Sequence, residues 1–117
     1  MTEILAITAL GAEHLRQLRE LYCQANWIDA GEAAEFLVPA IAGSTVAAGV
    51  FENGELIGFG RALSDGCSDA YIQDVIVRQD CRKRGIGSQI IRFLEAELRR
   101  KGVDWIGLVG EPGTENF

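Results

Sequence analysis

Seven consecutive residues, Arg82-Lys83-Arg84-Gly85-Ile86-Gly87-Ser88, combine what a phosphate group needs from a protein. The arginines and lysine bring positive charge. Gly85 and Gly87 let the backbone approach closely, because no Cβ intervenes. A β-like run, Tyr71 to Val77, precedes the segment, and a helical run, Ser88 to Lys101, follows it. In a strand-loop-helix of this kind, the free N–H groups of the loop and the positive end of the helix dipole point at one anion. The segment therefore reads as the cradle of a nucleotide-like cofactor held by its phosphates. A plain strand-to-helix turn with solvated arginines is the alternative, and three adjacent cations without an anion disfavour it.

Two familiar phosphate loops are excluded. A dinucleotide fingerprint requires G-x-G-x-x-G, and its third glycine position falls on Ile90. A P-loop requires G-x-x-x-x-G-K-[ST], which does not occur. The remaining pattern is R-x-x-G-x-G, on Arg82, Gly85 and Gly87.

The surrounding elements are readable from period and punctuation. Glu3 to Ala9 alternates as a first strand, and Thr8 is placed to cap a helix with Leu15, Leu18, Leu21 and Tyr22 on one face. Asn26 to Ala30 is a break. Glu32 to Ile41 reads as a second helix whose last turn Pro39 weakens. Val46 to Phe51 and Leu56 to Leu63 are strands joined through Asn53-Gly54, a strong hairpin signal. With Tyr71 to Val77 they form a meander. The helix from Ser88 carries Ile90, Ile91, Leu94 and Leu98 on one face and ends at Gly102. Trp105 to Val109 is a fifth strand, parallel to the fourth because a crossover helix separates them.

On these residues the chain resembles the GNAT superfamily of N-acetyltransferases, which carry [QR]-x-x-G-x-[GA] between their fourth strand and third helix. "DVIVRQDCRKRGIGSQII" is similar to that strand, loop and helix in register, and "GELIGFGRALSDG" to the third strand and following turn. The resemblance is best from about Val46 to Val109. It implies an α/β fold with a central mixed, mostly antiparallel sheet of about five strands flanked by helices. It also implies acetyl-CoA as co-substrate, with the pantetheine arm between splayed fourth and fifth strands. Val75, Ile76 and Val77 would then bind pantetheine and the thioester carbonyl through main-chain groups. Arg82, Lys83, Arg84, Gly85, Ile86, Gly87 and Ser88 would hold the pyrophosphate. The activity implied is transfer of an acetyl group to a primary amine by direct attack in a ternary complex. A catalytically degenerate module that only holds acetyl-CoA or CoA is the second reading. An unrelated α/β domain binding another phosphate ligand is the third.

Direct attack requires a proton to leave the amine. Asp74, an acid within an apolar strand, is one candidate base; beside an arginine it would instead be structural. Glu111, just after the fifth strand, is a second, and Tyr71 a third unless it is an interior aromatic. Trp27 and Trp105 read as core or pocket wall. Family members continue past the fifth strand with a helix and two strands, opening on an aromatic-tyrosine pair whose hydroxyl protonates the leaving thiolate. Here "GEPGTENF" reaches the first aromatic at Phe117, with no tyrosine after it. The expectation is a domain lacking the usual last helix and strands, with the fifth strand's edge covered by a homodimer. Solvent can then protonate the thiolate, since a thiol of pKa about 8.5 is a tolerable leaving group.

Composition bounds the rest. At 117 residues, 48% hydrophobic and 24% charged, the chain suits a single soluble domain over residues 1–117. No apolar run approaches a membrane span and Met1-Thr2-Glu3-Ile4 is not a signal-peptide start, so the expected setting is cytoplasmic, without a membrane partner. Cys23, Cys67 and Cys81 lack C-x-x-C spacing, which argues against a disulfide framework or zinc site, and no metal is expected. Cys81 and the single histidine, His14, are too far apart in sequence to suggest a catalytic pair. A net charge of −6 disfavours nucleic acid. Charge is also divided. Arg78 to Lys101 holds eight basic and three acidic residues, leaving three basic and fourteen acidic elsewhere. The basic region suits an anionic cofactor. The acidic remainder suits a cationic amine, or is simply a solvated surface.

Overall fold

The structure is a computed structural model, and it describes residues 2–109. Glu111, one of the two candidate bases, and Phe117 lie outside the described residues. The elements run β1 (Thr2–Ala6), α1 (Ala12–Gln24), α2 (Leu37–Gly43), β2 (Val46–Glu52), β3 (Glu55–Ser64), β4 (Asp69–Val77), a 3₁₀ turn (Gln79–Cys81), α3 (Ile86–Arg100) and β5 (Trp105–Leu108). The strands form one mixed sheet in the order β1-β2-β3-β4-β5. β1 to β4 pair antiparallel, and β5 joins β4 in parallel after the α3 crossover. This is the α/β arrangement expected from the sequence. Among the described residues no helix is long and apolar enough to cross a membrane.

Two apolar layers cover the two faces. Ile90, Leu94 and Leu98, four residues apart on α3, are fully buried against Ala48, Val50, Ile57 and Ile72. On the other face Leu18, Leu21 and Tyr22 of α1 and Leu37 and Ile41 of α2 pack on Phe59 and Ile76. Burial of each large side chain contributes about 1.5–3 kcal/mol. Where α3 crosses the sheet, a side chain would clash at Gly60 and be tight at Gly58. A Cβ on Gly60 would lie 2.6 Å from Ile90 Cγ2, and one on Gly58 would lie 3.2 Å from Ile90 Cδ1.

Several boundaries differ from the sequence reading. Gly11, not Thr8, caps α1, and β1 ends at Ala6. The second helix begins at Leu37 rather than Glu32, which puts Pro39 in its first turn, where a missing N–H breaks no helical bond. α3 begins two residues before Ser88, at Ile86, because Gly85 takes a left-handed conformation (φ +79°) and starts the helix there. The end of α3 falls as read. Gly102 (φ +94°) donates to Arg99 O and Val103 to Leu98 O, which satisfies two of the last carbonyls. Tyr71 is not interior: it is half exposed and meets the equally exposed Trp105 edge-on at 5.4 Å.

Candidate functional site

The loop after β4 exposes a row of hydrogen-bond donors. Lys83 (φ +66°) and Gly85 (φ +79°) both turn through the left-handed region. The first bond of α3 runs from Gln89 N to Gly85 O. As a result, none of the six N–H groups from Lys83 to Ser88 donates to another described residue. Six successive free donors at a helix N-terminus are chemically suited to an anion. A Cβ on Gly85 would touch nothing within 4 Å, so glycine is required there by φ and not by space. Ile86 is buried, with its side chain in the core beneath the loop, and Gly87 is buried with it.

The three basic side chains do different things. Arg82 folds back, donating from Nε to Val77 O at 3.2 Å. Arg84 reaches β2, where it pairs with Glu52 at 2.5 Å and donates to Thr2 Oγ1 at 3.4 Å. That pairing holds the Glu52 carboxyl at about 2, well below its ordinary value, with Thr2 Oγ1–H as the second cause. Lys83 has no hydrogen-bond or ion-pair partner among the described residues, and its charge is available to a ligand. Cys81 is buried beneath the turn, and burial pushes its thiol up, which makes it a poor nucleophile. His14 lies on α1, with its Nε2 against Gly54 O at 2.9 Å and its ring 5.0 Å from that of Phe51, and it makes no hydrogen bond to that thiol. Among the described residues no three His, Cys, Asp or Glu side chains gather to hold a metal.

β4 itself is the second part of the site. Its register with β5 runs from Asp69 to Ile72, and Val109 N–H closes on Ile72 O at 2.8 Å. Beyond Ile72, no described strand lies on that side of β4. On its other side, Arg78 N–H bonds Ile57 O. Alternation along the strand then turns the main-chain groups of Val75 and Val77 away from β3, into the open side, while Ile76 faces β3. The side chains of Val75 and Val77 pack on the α3 layer and that of Ile76 on the α1 layer. Their apolar character serves the core, and their backbone serves the gap.

The change of side is made by a β-bulge. Gln73 opposes Arg61 and Ile76 opposes Phe59, so Asp74 and Val75 together face Gly60. Asp74 carries the distortion, with φ +56°. Its Oδ2 accepts from Arg61 Nε at 2.9 Å and from Tyr22 Oη at 2.8 Å. Burial, then the adjacent Asp74 carboxylate, pushes the Tyr22 hydroxyl far above its ordinary value, so it stays a donor. The structure thus brings Asp74 to the end of β4 that carries Val75–Val77, beside an arginine. Sequence reasoning missed Arg61 and Tyr22. No local sequence signal singled them out, because their meeting with Asp74 depends on the register of β3 with β4 and on the packing of α1.

The model of the acetyltransferase (GNAT) family matches residues 12–115, and the chain belongs to that family. Among curated relatives, it is 39% identical over 64 residues to serotonin N-acetyltransferase 2, chloroplastic, of Oryza sativa subsp. japonica. That match covers 55% of this chain and 32% of the rice protein, so the chain spans about a third of the length of the relative. Among solved structures, a GNAT family acetyltransferase of Streptococcus pneumoniae superimposes with a TM-score of 0.73 at 25% identity, covering 99% of this chain and 80% of that one. An aminoglycoside 6′-N-acetyltransferase complexed with coenzyme A superimposes with a TM-score of 0.73 at 21% identity, covering 91% and 60% respectively; at that identity the likeness is one of fold.

Proposed function

We propose that the chain is an acetyl-CoA-dependent N-acetyltransferase acting on a primary amine. The observation that carries this reading is the succession of two backbone surfaces: six free N–H groups from Lys83 to Ser88, and the main chain of Val75 and Val77 on the side of β4 that β5 leaves after Ile72, where only the Val77 carbonyl is taken, by Arg82 Nε. A diphosphate joined to a narrow amide-bearing arm matches both. The residues present fit such a molecule. The loop N–H groups and Lys83 hold the diphosphate, with Gly85 shaping the turn, and the Val75 main chain and Val77 N–H hydrogen-bond the arm. When bound, acetyl-CoA supplies the activated acyl group. The protein orients that group at the bulge. The amine gives up its proton there to water or a carboxylate. The family and the names of the relatives support the amine as acceptor.

Isothermal titration with acetyl-CoA, followed by a thiol-release assay across a panel of amines, tests the proposal. Binding with amine-dependent thiol release is expected. Equal binding of acetyl-CoA and unrelated nucleotides would overturn it, and binding with no release for any amine would favour a cofactor-holding module.

A further inference from the structure

Asp74 was a candidate proton acceptor on sequence grounds, but its surroundings fit a different task. Its φ of +56° is a conformation that residues other than glycine seldom adopt, although aspartate and asparagine tolerate it best. Both of its described hydrogen bonds fall on one oxygen. Arg61 Nε comes from the neighbouring strand β3, and Tyr22 Oη comes from α1, 52 residues away in sequence. The ion pair is well shielded, with the Arg61 side chain 17% and the Asp74 side chain 24% exposed. Tyr22 is in turn fixed edge-on against Trp27 at 5.2 Å and Phe36 at 6.1 Å. The carboxylate is therefore anchored from two separate elements at the residue where the strand changes the direction of its backbone.

We propose that Asp74 is a positioning residue: clamped by Arg61 and Tyr22, it holds the β4 bulge in its left-handed turn and so sets the direction of the Val75 main chain toward the acyl group. Asp74 acts through its neighbour and not on the acceptor's proton. The same clamp ties α1 to the bulge, so the helix that covers this face of the sheet is registered to the reacting end of β4. This inference rests on the acetyltransferase reading.

Asp74→Asn and Asp74→Ala separate the possibilities. Asparagine keeps an oxygen for both donors and tolerates the left-handed turn, but cannot act as a base. Alanine loses the clamp and disfavours that turn. The expected result is a kcat within about threefold of wild type for Asp74→Asn and at least about tenfold lower for Asp74→Ala, while the acetyl-CoA Kd changes by less than about threefold in either, because the loop supplies most of the binding. Tyr22→Phe, which removes one donor and keeps the ring in the core, is expected to fall between them. Amide hydrogen exchange from Gln73 to Val77 should quicken about tenfold in Asp74→Ala and stay near wild type in Asp74→Asn. A kcat lost equally in Asn and Ala variants would overturn the proposal in favour of a proton-accepting carboxylate. Full kcat in Asp74→Ala, or unchanged exchange, would overturn it outright. Wild-type protein that fails to bind acetyl-CoA would instead overturn the functional reading, and the exchange pattern would still decide whether the clamp holds the bulge.

Discussion

Lys83 and Gly85 share one loop and contribute to it in separable ways. Lys83 is exposed and unpaired among the described residues, so its part is a phosphate-directed charge. Lys83→Ala should raise the acetyl-CoA Kd about three- to tenfold at low salt, a charge-assisted contact of about 1 kcal/mol. Titration at about 0.5 M salt should narrow the gap, since the Debye length then falls well below 10 Å. Gly85 contributes backbone freedom, and its φ of +79° opens no clash for a methyl group. Gly85→Ala should therefore cost about 1–2 kcal/mol of strain in urea denaturation, with no loss of core packing. Glu52 holds the other end of Arg84. Its carboxyl sits at about 2 in the fold against an ordinary 4.5, so the unfolded chain takes up the proton first. The stability this provides is fully present above pH 4.5 and is lost as the pH falls through about 2. Thermal melts over that window should show a shallower decline for Glu52→Gln than for wild type.

At the scale of elements, α3 and the bulge depend on the same glycine. Gly60 opposes the bulged pair Asp74 and Val75, and it accepts the closest approach of α3. A methyl group there would sit 2.6 Å from Ile90 Cγ2 and 3.2 Å from Leu94 Cδ1. Both side chains belong to the buried stripe that fixes where the N-terminus of α3, and with it the row of free N–H groups, points. Gly60→Ala should cost about 1–3 kcal/mol in denaturant midpoint, because a packed core tolerates added volume poorly. It should weaken acetyl-CoA in parallel, since relief requires α3 to lift. A loss of stability with unchanged affinity would show that the loop keeps its shape without the helix packing beneath it.

The whole molecule carries −6, yet the ligand proposed for it is an anion. The conflict is resolved by distribution. The basic excess is confined to Arg78–Lys101, and ten of the fourteen acids outside it lie on β1 through β3, α1 and the segment before α2 or in the tail, with Asp65 and Asp69 at the β3–β4 turn, Asp74 on β4 and Asp104 before β5. A local positive field steers an anion even where the net charge opposes it. Stopped-flow association of acetyl-CoA should slow as ionic strength rises. A rate that rises with salt would mean that the acidic body of the molecule dominates the approach.

The strand, the basic glycine loop and the helix were legible in the chain because each is a local matter. Period, φ-permissive residues and the dipole of a helix start act within a few residues, and they fixed the order of the elements and suggested the kind of ligand. The weak readings were local too: Glu32-Ala33-Ala34-Glu35 reads as helix because its composition favours one, while α2 is held by the burial of Leu37 and Ile41. What the chain could not declare is which charges meet. Arg84 is taken by Glu52, 32 residues away, and Asp74 by Arg61 and Tyr22, 13 and 52 residues away. The bulge is equally hidden, since one surplus residue in a strand shows only when the register of its neighbour is known. Sequence determined that a strand, a basic glycine loop and a helix follow one another here, the arrangement from which a phosphate-bearing ligand is proposed. Tertiary pairing decided which cation is left to meet it and which way the backbone of β4 faces, because those depend on contacts that exist only once the sheet and α1 are closed.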